Sequence, residues 1–359
     1  DEFDMNDQMK AGLEKSFELS GLSVKEMNIC DRRNFAEAEK LISNADFIIL
    51  SGGHVPTENK FFKEIGLKEK IKNYVIIKTR NYMILNIVNF PTRRNRVNLH
   101  WFPECKWIMN GHLAYRLKSE KENLGDWLAL PIYDYMTSRY HLDKNKKVGK
   151  TKHLYTIGSL IMMGHQNATI WGSGILNSKQ AVSIGQRTAY RVLDVRCVRG
   201  PETLQKLKEN GIDVSKCKIG DPGVLMPLIY QPKEYEHKRE YSVLIHKNLR
   251  KEKVENEIEI LTDDWKKTID EIYNSKLIIS STLHGIILAE AYGVPAIMLN
   301  KIEKNDRFKY DDYYHSTGRY NYPVCSTIEE ALQIHIPEVP DLSQLQQNLI
   351  DSFPVDLWE

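Results

Sequence analysis

Short apolar runs alternate with stretches of helical periodicity from residue 191 onward. Apolar runs that end at glycine, proline or polar residues are typical of buried parallel strands. Strands that alternate with helices predict a parallel sheet covered by helices. The predicted strands are 192–199, 217–220, 241–246, 277–280 and 296–299, and the predicted helices are 202–210, 263–274, 286–292, 327–333 and 342–352.

The first half of the chain shows similar alternation in two separate stretches. Residues 1–82 predict a small flavodoxin-like α/β fragment, with helices at 6–21, 35–43 and 58–72 and strands at 24–30, 46–50 and 74–77. A new apolar strand begins at Met83, and a basic, aromatic stretch leads into a predicted helix at 127–138. The charged segment 143–152 predicts an exposed loop before strands at 154–158 and 168–171.

These elements predict an α/β protein in which two Rossmann-like domains face a central cleft. The first of these domains is expected at residues 83–190, after the fragment at 1–82. The second is expected at residues 191–359 and ends in a helical tail. A chain of 359 residues is long enough for two domains or three small ones.

The amino-acid composition argues against several classes of function. The 50 Lys and Arg residues nearly balance the 48 Asp and Glu residues, which argues against a nucleic-acid binder and an acidic tail. The five cysteines are scattered without a CxxC pair, so we expect neither a disulfide framework nor a zinc site. Neither a signal peptide nor an apolar run of membrane-spanning length is visible, and the pattern favours a cytoplasmic protein.

Five glycine-marked turns follow predicted strands. They are Asn-Leu-Gly-Asp at 123–126, Trp-Gly-Ser-Gly at 171–174, Val-Arg-Gly-Pro-Glu-Thr at 198–203, Gly-Asp-Pro-Gly at 220–223 and Ser-Thr-Leu-His-Gly at 281–285. Because the carboxyl ends of parallel strands line one edge of a sheet, we expect these turns to converge on one cleft. The last turn places Ser281, Thr282, His284 and Gly285 at a helix start, where backbone N–H groups and the helix dipole favour an anion.

The order and spacing of these turns are similar to those of the polysaccharide pyruvyl transferase family, over residues 100–325. The resemblance implies a two-domain fold of the GT-B type. It also implies an enzyme that moves the pyruvyl group of phosphoenolpyruvate onto a sugar of a polysaccharide or its precursor, as a ketal. The matching positions are Asn123, Gly125, Asp126, Val198, Arg199, Thr203, Gly220, Asp221, Pro222, Leu283 and His284. Thr282 stands where some members of the family carry an arginine.

Ketal formation needs a proton on the methylene carbon of phosphoenolpyruvate, and histidine transfers protons near neutral pH. His284 is therefore expected either to protonate the donor or to hold its phosphate. Asp126 is expected to take the proton of the sugar hydroxyl, or to order its turn. Arg199 has the planar guanidinium that grips a carboxylate with two hydrogen bonds.

Further contacts complete the predicted site. Lys247 is expected to contact phosphate, and Ser173 to line the cleft. Asn123, Gly125, Ser281, Thr282 and Gly285 are expected to bind substrate through their turns. The tyrosine-rich segment 308–319, expected to be a loop, suggests sugar contacts by Asp312, Tyr313 and Arg319. We expect no metal and no cofactor, only phosphoenolpyruvate as co-substrate and a sugar or lipid-linked oligosaccharide as acceptor, which would place the enzyme near a membrane surface.

Residues 45–67, ADFIILSGGHVPTENKFFKEIGL, resemble part of the dipeptidase E-like serine peptidases. That family needs a Gly-x-Ser-x-Gly nucleophile turn, and no such motif follows in this chain, so His54 lacks a serine to activate. We therefore expect a truncated, inactive peptidase-like piece, from either a gene fusion or an assembly artefact. Two alternatives remain beside the pyruvyl transferase: a GT-B-type glycosyltransferase that uses a nucleotide sugar, and an inactive fusion protein.

Overall fold

The computed structural model describes residues 93–101, 105–110, 113–118, 121–162, 166–188, 191–246, 249, 253–300 and 306–359, with short stretches of one to four residues between 7 and 41. A 3-10 helix at Phe35–Glu37 falls at the start of the helix predicted at 35–43. The rest of the fragment predicted at 1–82, including the peptidase-like segment and His54, lies outside the described residues. Contacts divide the chain into one compact unit of Asp1–Val88 with Trp107–Leu117, and another of Asn89–Lys106 with Lys118–Glu359.

The strands are β1 (Val97–His100), β2 (Cys105–Asn110), β3 (Leu113–Lys118), β4 (Glu122–Asn123), β5 (Lys152–Tyr155), β6 (Ala168–Ser173), β7 (Leu193–Val198), β8 (Lys218–Ile219), β9 (Ser242–Leu244), β10 (Leu261–Thr262), β11 (Ile278–Ser280), β12 (Ala296–Leu299) and β13 (Val324–Cys325). The α-helices are α1 (Leu124–Trp127), α2 (Ala129–Arg139), α3 (Ser178–Thr188), α4 (Pro201–Glu209), α5 (Met226–Ile229), α6 (Trp265–Tyr273), α7 (Leu283–Ala291), α8 (Phe308–Ser316), α9 (Ile328–Ala331) and α10 (Ser343–Asp351). Two more 3-10 helices lie at Pro222–Leu225 and Val355–Trp358.

The first sheet of the second unit is parallel, in the order β1-β5-β6-β7-β8. Strand β7 pairs with β6, for example Ala168 with Leu193. The sheet therefore crosses the domain boundary predicted between residues 190 and 191, and that boundary needs correction. The described strands of this sheet end at Ile219, and those of the next sheet begin at Ser242. The chain between β6 and β7 therefore connects two strands of one sheet.

The second sheet is also parallel, in the order β13-β12-β11-β9. In both sheets the described strands follow one another in chain order, without the reversal that marks the usual doubly wound fold. The prediction of an α/β protein with parallel sheets is confirmed. The two sheets share one buried core, which includes Trp171, Val224, Leu244 and Ile287. The prediction of two separate Rossmann-like domains of the GT-B type is not confirmed.

Helix α7 begins three residues earlier than predicted. The Thr282 hydroxyl accepts a hydrogen bond from the Gly285 N–H at 3.0 Å and so caps the first turn. His284 is therefore the second residue of the helix. The helix is apolar on nearly all sides, which suits its burial between other elements, and it ends at Ala291, two residues before Gly293, whose φ is +75°.

Residues 308–316 form helix α8, whereas the sequence predicted a loop. Tyr310, Tyr313 and Tyr314 are fully buried, at the i, i+3 and i+4 spacing of one helix face. The same spacing was present in the sequence and would have predicted the helix. Among the described residues, no helix is long and apolar enough to cross a membrane.

Candidate active site

Helix α1 brings a glycine against the imidazole of His284. Strand β4 pairs with β10, with Asn123 opposite Leu261, and the Leu124 N–H donates to the Ile260 carbonyl at 2.9 Å. These bonds hold the 123–126 turn against the second half of the unit. A Cβ atom at Gly125 would lie 1.9 Å from Nδ1 of His284, so only glycine permits this approach.

The 220–223 turn places a carboxylate on the other side of the imidazole. Asp221 Oδ2 lies 3.8 Å from His284 Nε2, within the range of an ion pair but too long for a hydrogen bond. Both atoms are buried, and neither has a hydrogen-bond partner among the described residues. The other oxygen, Oδ1, accepts from the Gly223 N–H at 2.9 Å and fixes the carboxylate. The ring of His284 is thus held between Gly125 and Asp221, with 16% of its side chain exposed.

Hydrogen bonds order the turn before His284. The Ser281 hydroxyl accepts from the His246 N–H at 2.9 Å, and the Ser281 carbonyl accepts from the Tyr310 hydroxyl at 2.9 Å. The Thr282 N–H donates to the Ser280 hydroxyl at 3.0 Å. The hydroxyls of Ser281 and Thr282 therefore build the turn and the helix cap. Helix α8 supports this turn through Tyr310.

Arg199, which follows β7, is almost fully buried and makes an ion pair. Its Nε donates to Asp312 Oδ2 at 2.9 Å, and its Nη1 donates to the Ser159 hydroxyl at 3.1 Å. Asp312 also accepts from the backbone N–H and the hydroxyl of Thr203, at 2.8 and 2.6 Å. Burial raises the pKa of Asp312, and the charge of Arg199 and the bonds from Thr203 oppose that rise.

Lys309 lies close enough to both Arg199 and Asp126 for their charges to act on it. Burial, with a further contribution from the charge of Arg199, lowers the pKa of Lys309 to about 8, while Asp126 and Asp306 act to raise it. Asp126 itself lies beside Gly158, since its Oδ1 would be 3.1 Å from a Cβ at that position. The charges of Arg199 and of Asp126, in the first turn of α1, therefore both act on the Lys309 ammonium.

Comparison with known proteins then identifies the family. The sequence profile of polysaccharide pyruvyl transferase matches residues 121–300, which is half of the chain. The chain belongs to the polysaccharide pyruvyl transferase family. An uncharacterised protein of Acanthamoeba polyphaga mimivirus is 30% identical over 201 residues, which cover 51% of this chain and 67% of that protein.

A solved structure of an uncharacterised protein from Klebsiella pneumoniae aligns with 72% of this chain and 98% of its own. The TM-score is 0.40 and the identity is 16%. The match to the family profile covers all five glycine-marked turns, because it extends from residue 121 to residue 300.

Several residues predicted to bind substrate make hydrogen bonds or ion pairs inside the protein. Ser173 is fully buried, donates to the Gly158 carbonyl and accepts from the Leu160 N–H, both at 2.9 Å. Asp312 is buried against Arg199. The Tyr313 hydroxyl donates to Glu290 at 2.7 Å, and Arg319 forms two bonds of 2.7 Å with the same carboxylate.

These positions correct the sequence-based interpretation of the tyrosine-rich segment. Asp312 and Tyr313 have no exposed surface for a sugar, because Asp312 is buried against Arg199 and Tyr313 lies on the buried face of α8. Arg319 is partly exposed but paired with Glu290. The predicted contact Lys247 lies outside the described residues. The sequence analysis also missed Lys309, for which the sequence shows only a lysine within the aromatic segment. It named Asp221 as a matching position but assigned it no role.

Proposed function

We propose that this family member transfers the pyruvyl group of phosphoenolpyruvate to two hydroxyls of a sugar and forms a cyclic ketal. The observation that carries the proposal is the placement of His284 between Asp221 and Gly125 at the start of α7. One ring nitrogen faces a buried carboxylate, and the other, Nδ1, makes no hydrogen bond within the described residues. A histidine held in this way suits proton transfer at a single defined atom.

In the first step, His284 as the imidazolium donates the proton on Nδ1 to the methylene carbon of the donor. The double-bond electrons take up that proton, C2 acquires oxocarbenium character, and a sugar hydroxyl bonds to C2. Asp221 stabilises the imidazolium from the Nε2 side through its negative charge. Asp126, which follows Gly125 in the chain, accepts the proton of the attacking hydroxyl in this proposal.

In the second step, the bond between C2 and the phosphate oxygen breaks, and a second hydroxyl of the same sugar closes the ketal. The two sugar hydroxyls lose one proton each. Over the whole reaction, the new methyl group gains one proton, and the phosphate that leaves carries the other. The start of α7 supplies backbone N–H groups and a helix dipole that favour the anionic donor.

The test is an assay with phosphoenolpyruvate and a panel of nucleoside-linked and lipid-linked sugars. We expect release of inorganic phosphate and an increase in acceptor mass that matches a pyruvyl ketal. A matched panel of nucleotide sugars in place of phosphoenolpyruvate tests glycosyl transfer. Release of nucleotide, together with no release of phosphate from phosphoenolpyruvate, would contradict the proposal.

A further inference from the structure

Most cations near the site are already paired with buried carboxylates. Arg199 is paired with Asp312, and Arg319 is paired with Glu290. Among the described residues, the Lys309 ammonium makes neither a hydrogen bond nor an ion pair at contact distance. Asp306, an acidic neighbour, already accepts from the N–H and the hydroxyl of Ser178 and from the Phe308 N–H. Lys309 thus retains a positive charge that no neighbouring carboxylate contacts.

Helix α8 carries Lys309 next to Tyr310, whose hydroxyl contacts the turn before His284. Tyr310, the next residue, is fully buried and donates its hydroxyl to the Ser281 carbonyl at 2.9 Å. The Lys309 Nζ lies 5.0 Å from the centroid of the Tyr310 ring. Lys309 as a residue keeps part of its surface exposed, while burial acts on its ammonium. A desolvated cation in such a place attracts an anion more strongly than one on the open surface.

We propose that Lys309 binds the phosphate group of the donor. The assignment rests on the proposed function, and it adds a residue that lies outside the region matched by the family profile. A compact ammonium binds phosphate as a point charge, whereas a planar carboxylate is better matched by a guanidinium. Arg199, the residue that the sequence predicted for the donor, is buried and paired, so Lys309 takes over the role of the cation.

The environment of Lys309 gives this binding a pH dependence. Burial and, to a smaller extent, the charge of Arg199 disfavour the ammonium, while Asp126 and Asp306 favour it, and the balance lowers the pKa of Lys309 to about 8. Below that pH the cation is present in the free protein, and above it the amine is neutral. Phosphate affinity therefore falls as the pH rises from 7 to 9. A bound dianion also draws a proton onto Lys309 near pH 8, so binding is accompanied by proton uptake.

The test is calorimetric titration of the full chain with inorganic phosphate and, separately, with phosphoenolpyruvate. Lys309→Met should weaken binding of both ligands by about 10–100-fold at pH 7. Lys309→Arg keeps its charge at pH 9 and should bind phosphate more tightly than the wild type there, without proton uptake. Lys208→Met, at an exposed lysine of α4, is the control and should bind like the wild type.

Each outcome separates this proposal from the proposed function. Phosphate affinity within twofold of the wild type in Lys309→Met overturns the role of Lys309, even if pyruvyl transfer is observed. Lysine-dependent binding of phosphate, with no turnover of phosphoenolpyruvate, supports Lys309 and contradicts the proposed reaction. If Lys309→Met fails to fold, the comparison of wild type and Lys309→Arg at pH 7 and pH 9 decides: equal pH dependence overturns the proposal.

Discussion

Asp221 Oδ2 and His284 Nε2 lie 3.8 Å apart, and neither atom has a hydrogen-bond partner among the described residues. Asp221 is fully buried, and the Gly223 N–H holds its other oxygen. A buried carboxylate without a partner is costly unless a cation faces it. The pair therefore holds the imidazole of His284 by its Nε2 side and leaves the other ring nitrogen, Nδ1, outside this contact.

We expect Asp221→Asn to lower kcat for pyruvyl transfer by about tenfold or more while KM for phosphoenolpyruvate changes little. The amide keeps the size of the side chain and its bond from Gly223, but loses the charge that stabilises the imidazolium. Steady-state kinetics measure both constants. Asp263→Asn, at an exposed position, is the control. An unchanged kcat in Asp221→Asn would show that the carboxylate does not act on His284.

Gly125→Ala should abolish most of the activity without unfolding the protein. The new methyl group would lie 1.9 Å from His284 Nδ1, so the imidazole has to move. Gly149→Ala is a matched control, because nothing lies within 4 Å of the methyl group it adds. Activity and thermal unfolding are measured for both variants. Similar activity in the two variants would mean that the position of the His284 ring is not important for catalysis.

The Arg199–Asp312 pair yields a prediction about stability. Arg199→Met leaves the Asp312 carboxylate buried without its cation, which should lower the free energy of unfolding by about 3–5 kcal/mol. Adding Asp312→Leu to that variant should recover part of the loss. Denaturant unfolding of the single and double variants measures the coupling. A stable Arg199→Met variant with weakened donor binding would restore Arg199 as the donor clamp predicted from the sequence.

A second prediction about stability concerns the buried His100 and its partly exposed neighbour His153. His100 Nε2 and His153 Nδ1 lie 2.7 Å apart, and His100 also lies against Tyr155, with ring centroids 4.8 Å apart. Burial, with a further contribution from the charge of His153, lowers the pKa of His100 from 6.5 to about 3. Between these pH values only the unfolded chain binds the proton. Stability is therefore fully present above pH 6.5 and declines as the pH falls toward about 3.

The expected decline is up to about 1.4 kcal/mol per pH unit within that window. His100→Phe removes the titrating group and should make unfolding less sensitive to acid. Urea unfolding at pH 7.5 and pH 5 measures the difference. His237→Phe, at an exposed histidine, is the control and should retain the wild-type dependence. Parallel pH dependence in His100→Phe and the wild type would contradict the assignment.

Short-range sequence patterns predicted most of the parallel strands and the helix start near His284. The apolar run before Ser280 predicted β11, and the Ser-Thr-Leu-His-Gly turn predicted a helix start with His284 close to it. These features depend on short apolar runs and capping residues, which act between near neighbours in the chain. For the same reason the error in the start of α7 was only three residues.

Contacts between residues that are distant in the sequence could not be predicted from such short-range patterns. The pairing of β6 with β7 across residue 190 depends on long-range contacts, and so does the burial of Arg199 against Asp312, which is 113 residues away. The sequence showed a guanidinium at a strand end but not the carboxylate that pairs with it. The desolvation of Lys309 likewise depends on α8 packing beside the Ser281 turn.

The most direct test of the account is pyruvyl transfer from phosphoenolpyruvate in D2O, with mass analysis of the ketal product. If His284 protonates the methylene carbon, each product molecule carries one deuterium in its new methyl group. The rate should fall by about 10²–10⁴-fold in His284→Gln. A product whose methyl group lacks solvent deuterium, or full activity in His284→Gln, would contradict the account.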